Sequence, residues 1–101
     1  MQQFIVQYKV RPDRVEENER LVKDVFAQLK EQSLGDVRYA SLKLEDGLSF
    51  VHIVSIETQD GSNPITEMSA FRAFSAAIRD RISDGPMQTA FETIGSHRMF
   101  G

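Results

Sequence analysis

The 101 residues include no cysteine, no tryptophan and only three prolines. Without cysteine there can be no disulfide, no thiolate nucleophile and no Cys-ligated zinc or iron–sulfur centre. Long apolar runs are missing too. No stretch approaches the roughly 20 apolar residues of a membrane helix, and Met1-Gln2-Gln3 lacks the basic and apolar regions of a signal peptide. Basic clusters are also lacking: twelve Lys and Arg stand against fifteen Asp and Glu, for a formal charge of −3. Such a balance gives no footprint for nucleic acid or an anionic membrane. The phosphate-cradling glycine loop, the Gly-x-Ser-x-Gly elbow and the His-Glu-x-x-His zinc motif are all absent. Asp60-Gly61-Ser62-Asn63 lacks the spaced acids of a calcium loop and reads as a turn. Two histidines and no cysteine leave no spacing for three or four convergent ligands, so no metal is expected. The expectation is a cytoplasmic protein with neither nucleic-acid nor membrane partners.

What is present is an ordinary globular composition, 41% hydrophobic and 27% charged, short enough for one domain spanning 1–101. Phe4–Val10 alternates as a strand, with Phe4, Val6, Tyr8 and Val10 on one face, and Pro12 stops it. Asp13 with Glu16 reads as a capping-box variant opening a helix. Val15, Val22, Val25, Phe26 and Leu29 give that helix an apolar stripe, and Gly35 suits its left-handed cap. Val37–Leu44 and Leu48–Glu57 read as two strands of a hairpin, with Asp46-Gly47 as a type I′ turn. Asn63 is placed to cap a short turn begun by Pro64. Ser69 is expected to cap a second helix with Phe71, Phe74, Ile78 and Ile82 facing the core. Asp84-Gly85-Pro86 reads as a break, and Ala90–Phe100 as the last strand.

The order is β-α-β-β-α-β, which predicts an α+β ferredoxin-like sandwich: a four-stranded antiparallel sheet with two helices on one face. Strand three is apolar on both sides, with Phe50, Val54 and Ile56 on one and Val51 and Ile53 on the other. Such a strand expects cover on both faces. No segment remains to supply the second cover, so a partner copy is expected there, giving a homodimeric α/β barrel.

Few residues suggest chemistry. An RNA-binding domain of the same β-α order would need paired aromatics and basic residues on strand three, and Phe50-Val51-His52-Ile53-Val54-Ser55 does not supply them. His52 stands among apolar neighbours on the face of Phe50, Val54 and Ile56, expected to face the helices with Val6 and Tyr8. It reads either as a catalytic base in a pocket or as a core histidine hydrogen-bonded to a neighbour. Tyr8 and Tyr39 are candidates to orient a bound molecule, with Phe50 and Phe74 as apolar walls; each also reads as an ordinary core residue. Arg72 and Arg79, and His97 with Arg98, read as solvated.

Tyr8–Asp13, Val37-Arg38-Tyr39, Phe50–Val54, Ser69–Phe74 and Ile94-Gly95-Ser96 together resemble the antibiotic biosynthesis monooxygenase-like families of the dimeric α/β barrel superfamily. The resemblance spans nearly the whole chain. It implies a pocket between sheet and helices and a small-molecule ligand. It also implies cofactor-independent oxygenation of an aromatic or quinol-like substrate, with His52 as base. A non-catalytic dimer that binds a metabolite or a protein partner, and an isomerase or dehydratase on the same fold, are the alternatives. The haem-degrading branch of that superfamily uses an Asn on strand one, a Trp late in strand three and a His opening the second helix. The matching positions here carry Val6, Ile56 and Ala70 or Phe71, so haem degradation is not expected.

Overall fold

In the computed structural model, which describes residues 1–99, four strands form one antiparallel sheet in the order β2-β3-β1-β4. The strands are β1 (Gln2–Val10), β2 (Val37–Lys43), β3 (Ser49–Ile56) and β4 (Ile82–Ala90). Helix α1 (Val15–Gln32) follows β1, while α2 (Ser69–Ser75) and α3 (Ile78–Arg81) lie between β3 and β4. The expected ferredoxin-like α+β sandwich is therefore the observed one, with the helices on one face. Its core joins Val10, Phe50, Val54 and Ile56 of the sheet to Val22 and Val25 of α1 and to Ile65, Met68 and Phe74. Burying each of these side chains contributes about 1.5 to 3 kcal/mol.

Register sorts the two faces. Tyr8 pairs with Phe50, Val6 with His52 and Phe4 with Val54; across β2 and β3, Ser41 pairs with His52 and Tyr39 with Val54. All of these side chains face the helices. The alternate rows, Leu42–Val51–Gln7–Met87 and Ala40–Ile53–Ile5–Thr89, face away. No element among the described residues covers that second face. Val51 and Ile53 stay only half-buried there, and Met87 is 62% exposed.

Several local readings need correction. The capping box at Asp13 does not form: Pro12–Arg14 make a 3-10 turn, α1 starts at Val15 without a side-chain cap, and Arg14 instead pairs with Glu17 at 2.8 Å. At its other end Ser33, not Gly35, takes the left-handed conformation, with φ 51°. The hairpin link is longer than a type I′ turn. Only Gly47 of the Asp46-Gly47 pair has positive φ, and the Asp46 carboxylate accepts from the Leu48 and Ser49 backbone N–H groups and the Ser49 hydroxyl. Asn63 does cap its turn, accepting from the Ile65 N–H at 3.0 Å. Ser69 does not cap α2. Gln28 of α1 does so instead, its Oε1 accepting from the Ala70 N–H at 2.7 Å.

The largest correction concerns the end of the chain. The second helix stops at Ser75, so Ile78 belongs to the separate α3 and Ile82 opens β4. Asp84-Gly85-Pro86 lies inside that strand, and the predicted strand Ala90–Phe100 begins only where β4 ends; Phe100 lies outside the described residues. Proline is tolerated because β4 is an edge strand, where a missing N–H need not break a ladder. Gly85 sits at φ +90°, and a Cβ there would stand 2.8 Å from the Gln7 carbonyl oxygen. Only glycine permits the irregular β1–β4 register at this point.

Candidate functional site

Strand alternation places His52 in the row of Ser41 and Val6, with Tyr8 in the row on one side of it and Tyr39 in the row on the other. Two phenols therefore converge on one imidazole. Tyr8 Oη lies 2.7 Å from His52 Nε2, and Tyr39 Oη lies 2.7 Å from His52 Nδ1. The network continues inward. Asn18 of α1 donates from Nδ2 to Tyr8 Oη at 3.0 Å, and its Oδ1 accepts from Arg81 Nε at 3.3 Å. Arg81 also donates to the backbone carbonyls of Phe74 and Ala76, and its guanidinium stands over the Phe74 ring, 5.2 Å from the centroid. Asn18, Arg81 and His52 are 0%, 2% and 4% exposed. Polar groups buried so completely must be satisfied internally, and these are.

Burial sets the charge states. The His52 imidazole is pushed down to about 4 because the cation is disfavoured away from water. Burial raises the Tyr8 phenol to about 12, against the opposing effects of the Asn18 hydrogen bond and the Arg81 charge. It raises Tyr39 as well, with Tyr8 adding to the effect. Burial also lowers Arg81, partly offset by the charge of Glu17. At neutral pH, then, His52 and both tyrosines are neutral, and Arg81 is the one cation of the network.

A cavity of about 310 Å³ opens onto this network between sheet and helices. Phe4, Val6, Val54, Tyr8, Tyr39 and His52 form its floor. Phe71, Phe74, Ser75 and Ile78 roof it, and Asn63, Ile65, Thr66, Pro86 and Gln88 close its sides. The walls are chiefly apolar and aromatic with a few polar groups, the composition of a small-molecule site. A shallower groove of about 380 Å³ runs between the end of α1 and β2, on the other side of Tyr39. It holds no part of the network beyond that ring. Among the described residues no three His, Asp or Glu side chains converge as a metal site would require.

Of the residues singled out from sequence, His52, Tyr8, Tyr39 and Phe74 meet at the cavity. Phe50 does not reach it: its ring stacks behind Tyr8, 5.6 Å between centroids, as part of the core. Nothing in the sequence marks Asn18 or Arg81 as part of a site. A charged or amide residue on a helix reads as solvated, and only the packing of α1 against the α3–β4 junction buries these two. Arg72 lies on the surface, paired with Glu67 at 3.3 Å.

Fold and site define a class: a ferredoxin-like sandwich with a partly aromatic, chiefly apolar cavity between its helices and one face of its sheet. No protein-family profile and no curated protein sequence matches the chain. Solved structures do. It is similar to an antibiotic biosynthesis monooxygenase, with TM-score 0.75 and 11% identity over 94% of this chain and 100% of the other. It is similar to Rv0793 from Mycobacterium tuberculosis, with TM-score 0.74 and 13% identity over 93% and 95% of the two chains. SnoaB, a cofactor-independent oxygenase from Streptomyces nogalater, aligns with TM-score 0.67 and 20% identity over 93% of each chain. The resemblance drawn from the sequence thus holds for the fold.

Proposed function

We propose that this chain binds a small aromatic or quinol-like molecule in the cavity beside His52 and oxygenates it without a cofactor. One observation carries the reading: an apolar cavity of about 310 Å³, with five Phe and Tyr rings in its lining, meets a buried, neutral imidazole held between two phenols. The likeness in fold to a cofactor-independent oxygenase supports it. In such a reaction the substrate itself supplies the electrons. A CH₂ group activated by an adjacent phenol or carbonyl loses a proton to solvent at the cavity mouth, and the resulting carbanion adds to O₂ and takes a proton back as a hydroperoxide. One oxygen atom becomes the new carbonyl and the other leaves as water. The apolar walls would hold the ring plane and exclude water from the anion. His52 acts here through its hydrogen bonds, since both ring nitrogens already have phenol partners. A homodimer through the open sheet face would complete the barrel.

Anthrone is a suitable probe. Oxygen uptake with stoichiometric anthraquinone formation, above the rate without protein, is the expected result. His52→Gln, which keeps polarity and approximate volume but not the geometry that holds Tyr8 and Tyr39 on opposite sides of one ring, should slow it about ten-fold while far-ultraviolet circular dichroism stays unchanged. No acceleration with anthrone or with simple hydroquinones would overturn the oxygenase reading. A second reading, a dimer that binds such a molecule without turning it over, is favoured by the engagement of both His52 nitrogens. Saturable anthrone binding without oxygen uptake would support that one.

A further inference from the structure

The hydrogen bonds of the buried network have one consistent direction. A guanidinium can only donate, so Arg81 Nε fixes Asn18 Oδ1 as the acceptor and turns Asn18 Nδ2 toward Tyr8. Tyr8 Oη therefore accepts from Asn18, and its own hydrogen has one place to go, the His52 nitrogen 2.7 Å away. Ser41 Oγ stands 3.4 Å from that nitrogen, too long to compete. With Nε2 accepting, a neutral imidazole carries its proton on Nδ1 and donates it to Tyr39 Oη. Tyr39 Oη has no other hydrogen-bond partner among the described residues, and its side chain lines the cavity. Its own hydrogen is left over.

We infer that the Tyr39 hydroxyl is the cavity's hydrogen-bond donor, aimed at an acceptor oxygen of the ligand, with Arg81, Asn18, Tyr8 and His52 as positioning residues that set its direction. The ligand class follows: a small aromatic bearing a carbonyl or phenolate oxygen, preferred over the same hydrocarbon without one. Hydrogen bonds in series polarise one another, and this series starts at a buried cation, so the last donor is strengthened. Charge developing on the ligand oxygen during proton loss is what such a donor would stabilise. This rests on the aromatic-pocket reading above and adds its polarity.

The direction is measurable in the unmodified protein, without any ligand. Long-range ¹H–¹⁵N correlation at pH 7 should show His52 with a protonated Nδ1 and a bare, accepting Nε2. The opposite tautomer would overturn the inference. Binding then separates it from the pocket reading, with 2-acetylnaphthalene and 2-ethylnaphthalene as matched probes. The ketone should bind about 3- to 10-fold tighter, with its carbonyl stretch shifted to lower frequency, and Tyr39→Phe should remove both the preference and the shift. Equal binding of the two probes overturns the donor alone. Binding of neither overturns the aromatic pocket and the donor with it.

Asn18→Asp supplies a sharper test, because it leaves Tyr39 untouched. A carboxylate keeps the contact with Arg81 but accepts from Tyr8 instead of donating to it. Tyr8 then turns its hydrogen away, His52 must donate from Nε2, and Tyr39 must donate back to Nδ1. The expected result is a folded protein with the other His52 tautomer and no preference for the ketone. Retention of both the original tautomer and the preference would overturn the assignment.

Discussion

The two faces of the sheet are made by the same strands and differ in what covers them. On the helix side, apolar rows contain a strictly ordered polar network: His52, Tyr8, Asn18 and Arg81 are all buried and all partnered. On the open side, Ile5, Val51, Ile53 and Leu42 form an apolar patch that no element among the described residues covers. Polarity placed where the chain itself excludes water can be aligned and held. Apolarity left where the chain provides no cover calls for a second molecule. The first face therefore reads as chemistry and the second as assembly, a division that substitution can break.

The largest expected effect lies on the open face. Ile53→Asp would place an uncompensated charge in the proposed dimer interface, and the dissociation constant should rise at least a thousand-fold, equivalent to about 4 kcal/mol. Light scattering should report twice the 11.5 kDa chain mass for the parent and a single chain for the variant. A parent that is already monomeric at micromolar concentration would sink the assembly reading of this face.

The next effect belongs to the covered face and is a pH dependence. The folded-state value of His52 is depressed to about 4 from an ordinary 6.5, so between those values the unfolded chain binds the proton that the folded chain refuses. The associated stability is fully present above pH 6.5 and is lost as the pH falls toward 4. It amounts to about 3 kcal/mol at most. In urea titrations the parent should lose this stability between pH 6.5 and 4, while His52→Gln shows no such slope. The same slope in both would mean that other groups carry it.

Smallest of all should be the loss of an exposed ion pair. Arg38 and Glu57 stand 3.1 Å apart, with the Arg38 side chain 78% exposed. Arg38→Ala should change the unfolding free energy by less than about 0.5 kcal/mol, a shift measurable by the same titrations. A much larger loss would show that polar contacts at the solvent matter as much as those under the helices.

How far the sequence could be read follows from how local each cause is. Alternation in Phe4–Val10 and in β3 defined both faces of two strands, and with them the shared side of His52, Tyr8 and Val6. The helical stripe of α1 and the Asn63-Pro64 turn were equally legible, because each depends on neighbours in the chain. Gly85-Pro86 misled. The pair is a breaker by propensity, yet at an edge beside Gln7 it sits inside β4, and whether a strand is an edge is settled only by which strands pair. Capping of α2 was misplaced for a like reason: Gln28, 42 residues from Ala70 in sequence, serves where Ser69 was expected.

Sequence by itself determined the first three strands with the helix between them, the two-faced third strand and the candidates His52, Tyr8, Tyr39 and Phe74, because periodicity and side-chain chemistry are properties of the chain. Tertiary structure alone decided that Phe50 stacks behind Tyr8 instead of reaching the cavity. It alone brought Arg81 and Asn18, 63 residues apart, into one buried series ending at Tyr39. The physical reason is desolvation. A guanidinium or an amide on a helix is solvated by default, and it acquires a direction and a fixed partner only when packing from distant segments removes the water.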